Sequence, residues 1–150
     1  MRIGLDTNVL LRLANPLEPD HLLVRSFLDK RLGSGIEFRV LPQNLYEFWV
    51  VATRPVENNG LGLSTEECDQ ILSGIEAMFP CLREPSDLTT VWRDLVRRHD
   101  CKGKVAHDAR LVAGYIGCQI NQIVTFNTLD YRRFDKIRVL DTRIESGGRV

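Results

Sequence analysis

Three acidic side chains stand in contexts where a charge is costly. Asp108 lies in Lys104-Val105-Ala106-His107-Asp108-Ala109-Arg110-Leu111-Val112-Ala113, which reads as the opening turns of a helix. At 3.6 residues per turn it shares a face with Leu111, Val112 and Tyr115. Asp6 ends the short apolar run Arg2-Ile3-Gly4-Leu5, and Glu47 is the one charge in the otherwise apolar stretch from Leu45 to Ala52. Removing the partner of a buried ion costs roughly 3 to 5 kcal/mol, so each acid is expected to have one. A fourth polar position, Asn127 or Asp130, follows the apolar run Gln122-Ile123-Val124-Thr125-Phe126. Carboxylates brought together repel one another, and some would stay protonated at pH 7. A divalent cation resolves that conflict. Hard oxygen ligands in small number, completed by water, describe Mg²⁺ or Mn²⁺. Such an ion activates water, steadies developing phosphate charge and positions a leaving oxygen, so the chemistry implied is phosphodiester hydrolysis.

Those residues need elements to place them. Arg2 to Leu5 reads as a strand that hands over at Asp6-Thr7-Asn8 to a helix from Val9 to Ala14, stopped by Asn15-Pro16. Asp6 serves equally as an N-cap and as a site residue at the carboxyl edge of a parallel sheet, and the two roles are compatible. Glu18 to Leu32 carries Leu22, Leu23, Phe27, Leu28 and Leu32 on an amphipathic helix closed by Gly33-Ser34-Gly35. Phe38 to Leu41 is a second strand, stopped by Pro42. Leu45 to Ala52 is apolar nearly all round and is expected to be a buried helix, with Glu47 paired to Asn44 or water rather than to Arg54.

Arg54 to Leu63 is a Gly/Asn-rich loop, expected to be the mobile segment and a seat of substrate specificity. Ser64-Thr65-Glu66-Glu67 is a capping box opening a helix to about Met78. Pro80 to Arg83 is a further short strand candidate, and Pro85-Ser86-Asp87 opens a helix through Val91, Trp92, Leu95 and Val96 to about His99. The helix bearing Asp108 ends near Gly117. Gln122 to Phe126 and Lys136 to Leu140 are the last strands, and Glu145 to Val150 reads as a loose tail. Strands separated by helices predict one α/β domain over residues 1–150, with helices on both faces of a central parallel sheet of about four to five strands.

Composition sets the class. A chain of 150 residues with 43% hydrophobic and 27% charged residues suits one soluble domain, and no apolar run approaches the roughly 20 residues that span a bilayer. Without a signal-peptide pattern at its start, the expected location is the cytoplasm and no membrane is involved. Cys68, Cys81, Cys101 and Cys118 form no C-x-x-C pair, and His21, His99 and His107 are scattered. Free thiols are therefore expected in preference to a zinc site. Net charge is zero, so attraction to nucleic acid falls to local patches: Arg97, Arg98, Lys102 and Lys104, and Arg132, Arg133, Lys136 and Arg138. On charge alone these are equally well solvated surface.

Two other acid-based chemistries fit worse. An aspartate-nucleophile phosphatase needs D-x-D, and Asp6-Thr7-Asn8 lacks the second Asp. A phospho-acceptor receiver needs adjacent acids before the first strand's Asp and a late Lys, neither of which is present.

Ile3-Gly4-Leu5-Asp6-Thr7-Asn8-Val9-Leu10-Leu11 resembles the opening of PIN-domain proteins. Leu45-Tyr46-Glu47-Phe48 resembles their second acidic motif, and Gly103-Lys104 with His107 to Ala113 the third. Val124-Thr125-Phe126-Asn127-Thr128-Leu129-Asp130-Tyr131 resembles the fourth. Four fragments in the family's order, with the chain's size, resemble the ribonuclease toxins of VapC-like toxin–antitoxin pairs. The resemblance implies a three-layer α/β/α fold and a Mg²⁺- or Mn²⁺-dependent endoribonuclease, often a homodimer, restrained by a small antitoxin. It implies Asp6, Glu47 and Asp108 as metal-binding triad. At the fourth position, often Asp in the family, stands Asn127, which brings no charge; Asp130 would compensate if its turn aims it inward. Thr7, Asn8, Thr125 and Asp130 are auxiliary candidates, and Arg97, Arg98, Lys102, Lys104, Arg132 and Arg133 are candidate RNA contacts. The competing expectation is a catalytically impaired module of the same fold that binds RNA or protein.

Overall fold

Four short strands form a wholly parallel sheet, β1 (Arg2–Leu5), β2 (Glu37–Arg39), β3 (Gln122–Val124) and β4 (Arg138–Leu140), in the order β2-β1-β3-β4. The computed structural model describes residues 1–145. Side chains alternate across the sheet. Ile3, Leu5, Phe38, Val124 and Leu140 point into one core, shared with α1 (Thr7–Ala14), α2 (His21–Gly33), α3 (Pro42–Thr53) and α4 (Thr65–Met78). Ile123 points the other way, into a second core with α5 (Leu88–Arg98), α6 (Val105–Gly117) and Tyr131 of α7 (Thr128–Tyr131). A last helix, α8 (Thr142–Glu145), returns to α2. The expected α/β architecture is present, with four strands.

The fifth candidate strand, residues 80–83, shrinks to a single bridge between Cys81 and Val40. Pro80 has no N–H to give, so pairing rests on Leu82 N donating to Val40 O at 2.8 Å and a long 3.5 Å bond from Val40 N to Pro80 O.

Two apolar faces are turned differently from the expectation. In α2 the buried stripe is Val24, Phe27 and Leu28, which puts Leu22 about 200° round the helix from Val24 and leaves it 74% exposed. The α3 helix is not buried all round: Phe48 and Ala52 face the core, whereas Tyr46 and Val50, one turn apart, face solvent. Pro42 stops β2 as expected, but it also occupies the first turn of α3, where its missing N–H costs nothing.

The loop expected to move is a compact turn. Val56–Asn58 forms a 3₁₀ turn, and the N–H groups of Leu61, Gly62 and Leu63 bond the carbonyls of Val51, Arg54 and Ala52, tying the segment to the end of α3. The capping box at Ser64 and Glu67 forms in both directions. Of the expected tail, Glu145 closes α8, and the remainder lies outside the described residues.

One aromatic residue sets the carboxyl edge of the sheet. Tyr115 of α6 is fully buried and lies across Gly4, where a Cβ would meet the ring at 2.6 Å. Its hydroxyl donates to Leu5 O at 2.7 Å and accepts from Leu5 N at 3.0 Å, with Arg39 O and Asn44 Oδ1 each 3.1 Å away. Glycine at position 4 is thus a requirement of packing. It lets a helix-borne phenol reach the backbone immediately before Asp6.

Candidate active site

Strands β1 and β3 are neighbours, yet the helices that follow them, α1 and α7, lie in different cores. Their carboxyl ends therefore border the crevice where parallel sheets place sites. Leu5 pairs with Val124, so Asp6 and Thr125 emerge side by side. Asp6 is 6% exposed; its Oδ1 accepts from Thr7 N at 2.7 Å and its Oδ2 from Thr125 Oγ1 at 2.6 Å. It caps α1 and stands in the site at once. Thr125 is fully buried and also accepts from Asn8 Nδ2 (3.3 Å) and Asn127 N (3.0 Å). Asn8 Oδ1 in turn accepts from Phe126 N, which closes the β1–β3 end.

Glu47 reaches the same place from α3, and its partners differ from those expected. Oε2 accepts from Thr7 Oγ1 at 2.9 Å and Oε1 from Gln43 Nε2 at 2.6 Å. Asn44 is occupied elsewhere: it accepts from Leu41 N and donates to Leu5 O, with Thr7 Oγ1 at 3.3 Å.

Asp108 is half-buried in the first turns of α6 and receives the Tyr131 hydroxyl at Oδ1, 3.4 Å away. Burial first, then the charges of Asp6, Asp130 and Glu47, raises its carboxyl to about 7. Burial chiefly, with Glu47 adding, raises Asp6 to about 6, although the bonds from Thr125 and Thr7 pull the other way. Tyr131 is wholly buried beside these acids, so burial and then their charges push its phenol well above its usual range. It stays a neutral hydroxyl.

The four acids Asp6, Glu47, Asp108 and Asp130 thus share one electrostatic neighbourhood. Asp130, on α7, is close enough to raise Asp108. Asn127 is exposed ahead of that helix, and its side chain makes no hydrogen bond among the described residues. A buried and a half-buried carboxylate, both raised first by burial and then by neighbouring acidic charge, are donors that a hard divalent cation satisfies. As placed, no three acid, histidine or cysteine side chains among the described residues already stand in ligating array. The four cysteines are unpaired.

The two basic clusters differ. Arg97 and Arg98 are paired with Asp94 on the outer side of α5, and Lys102 with Asp100; Lys104 is exposed. Arg132 and Arg133 are exposed in the two positions after Tyr131, whose hydroxyl reaches Asp108.

Two site residues were not singled out from sequence. Gln43 is one helical turn before Glu47, a spacing at which side chains meet, but a glutamine carries no charge to attract notice. Tyr131 follows Asp130 directly, and its inward aim depends on the turn after β3.

Neither a family model nor a curated protein matches this chain. Its fold nevertheless matches solved toxin–antitoxin proteins. The structure of VapBC2 from Rickettsia felis, bound to a DNA fragment from its promoter, aligns with a TM-score of 0.70 at 13% identity over 94% of this chain and 98% of that one. VapBC-1 from nontypeable Haemophilus influenzae aligns with a TM-score of 0.70 at 12% identity, over 95% and 99%. VapC20 from Mycobacterium tuberculosis, a sarcin-ricin loop cleaving toxin, aligns at 0.58 and 17% identity, over 99% and 96%. The chain has the α/β fold of VapC-type PIN-domain toxins.

Proposed function

We propose that this protein is a metal-dependent endoribonuclease that acts as the toxin of a toxin–antitoxin pair. The observation that carries the reading is that Thr7 braces both Asp6 and Glu47, while Gln43 joins Glu47 to the backbone beside Asp108; burial and then the charges of Asp6, Asp130 and Glu47 raise the Asp108 carboxyl. Asp6 and Asp108, with Glu47, would hold Mg²⁺ or Mn²⁺. That ion, when bound, supplies an activated water and offsets the charge that builds on a phosphodiester under attack.

The chain's own side chains do the positioning. Thr125 and the N–H of Thr7 fix both oxygens of Asp6, while Thr7 and Gln43 fix both oxygens of Glu47. Tyr131 donates to Asp108 and keeps its proton throughout. Arg132 and Arg133 are better placed than the α5 cluster to contact phosphates, because the α5 arginines are engaged with Asp94. The substrate is single-stranded or looped RNA, whose bases and backbone are accessible where a duplex is not. A small antitoxin, a homodimeric assembly and a cytoplasmic location complete the proposal. The fold shared with VapBC complexes supports the antitoxin, and four unpaired cysteines suit a reducing compartment.

Cleavage of total RNA with Mg²⁺ or Mn²⁺, with EDTA, and by Asp6→Asn and Asp108→Asn tests the assignment. Metal-dependent cleavage lost in both variants is the expected result. The exposed Asn127 favours a second reading, a binding module of this fold without cleavage, and RNA left intact by wild type at millimolar metal would establish it instead.

A further inference from the structure

We propose that Gln43, braced by Arg110, is a positioning residue that sets Glu47 against Asp108; this rests on reading the acids as a metal-dependent nuclease site. Gln43 is 6% exposed, which is unusual for an uncharged amide on the first turn of a helix. Its Nε2 donates to Glu47 Oε1 at 2.6 Å and to His107 O at 2.8 Å. One nitrogen therefore ties the carboxylate on α3 to the backbone of the residue just before Asp108 on α6. Its Oε1 accepts from Arg110 Nη1 at 3.0 Å, and Arg110 Nη2 bonds Glu84 Oε1 at 3.0 Å.

This pattern permits only one amide orientation. A carboxylate and a carbonyl, both acceptors, face the nitrogen, and a guanidinium, which only donates, faces the oxygen. Arg110 thus fixes which way the amide points, and the amide fixes Glu47. Its guanidinium is engaged by Glu84 and Gln43, so it acts through Gln43. The Thr7 hydroxyl holds the other oxygen of Glu47, so together they leave the carboxylate no freedom to rotate.

The test uses the full chain with Mn²⁺ alone by calorimetry, and cleavage kinetics on a single-stranded RNA. Gln43→Met keeps the volume and removes all three side-chain hydrogen bonds. It is expected to weaken Mn²⁺ binding and lower kcat about tenfold each, with KM for RNA unchanged. Gln43→Glu keeps the shape but turns an acceptor toward Glu47 and His107 O, and is expected to lose about 100-fold. Arg110→Lys, whose single ammonium nitrogen replaces a guanidinium that reaches Gln43 and Glu84 with separate nitrogens, is expected to fall between wild type and Gln43→Met. In a Glu47→Gln background Gln43→Met is expected to add less than about twofold, because the two residues act as one unit.

Should Gln43→Met fail to fold, Arg110→Met carries the same measurements with Gln43 in place. A Gln43→Met protein matching an active wild type in Mn²⁺ affinity and kcat would overturn this inference and leave the proposed function standing. Equal losses with and without Glu47 would also overturn it, by showing that Gln43 acts elsewhere. A folded wild type that neither binds Mn²⁺ nor cleaves RNA would overturn both.

Discussion

In the metal-free protein, burial holds the Asp6 carboxyl near 6, and burial with neighbouring charge holds Asp108 near 7. Both titrate near 3.9 in an unfolded chain. Between about pH 4 and pH 7 the folded state thus binds more protons than the unfolded one, so these groups make stability fall as pH rises through that window. Asp108→Asn removes one of the two titrations. Denaturant unfolding without metal should show a flatter loss of stability from pH 4.5 to pH 7.5 in that variant than in wild type, and greater stability at the upper pH; an identical slope would contradict the raised carboxyl. Tyr131→Phe removes the hydroxyl that favours the charged form of Asp108. It should move the acid limb of the cleavage profile to higher pH and cost about 1 kcal/mol of stability, read from the pH–rate curve and from urea unfolding. The acids were legible in the sequence because a charge among apolar residues is conspicuous. Gln43, Tyr131 and the true partners of Glu47 were not, because neutral side chains leave no such mark and their aim depends on how α3, α6 and α7 are set against the sheet.

Most helices were legible from periodicity and caps, since those signals are local. The Ser64–Glu67 box formed as written, and Ser64→Ala should cost about 1 kcal/mol in thermal unfolding with cleavage unchanged, because the cap bonds run only between Ser64 and Glu67 and not to the acids. The sheet was harder to read. Strands of three or four residues leave little pattern, and 80–83 failed as a strand for want of a donor at Pro80. Which way α2 and α3 turn their apolar sides was also hidden, because both carry more apolar residues than the core can accept. Gly4 reads in sequence as a break in an apolar run, whereas its role is to admit Tyr115. Gly4→Ala should therefore destabilise the fold by about 1 to 3 kcal/mol in urea unfolding, since the ring it meets at 2.6 Å is pinned by its bonds to Leu5.

At the scale of the molecule, the α/β fold was legible and is shared with VapC-type toxins at only 12–17% identity. On that fold this chain places a carboxylate after the first strand, one on the helix after the second, one on the helix before the third, and a polar turn after it. That order brings every acid to the carboxyl edge of one sheet, where their repulsion is a standing cost unless a cation is bound. Thermal unfolding at pH 7.5 against rising Mn²⁺, for wild type and Asp108→Asn, tests this most directly. Saturation at about 100 times the dissociation constant should stabilise wild type by about 2.7 kcal/mol, or roughly 5 to 10 °C for a chain of this size. The shift should shrink at pH 5, where protons occupy the acids, and vanish in Asp108→Asn. A wild type whose Tm ignores millimolar Mn²⁺, or a variant that shifts as much as wild type, would contradict the account.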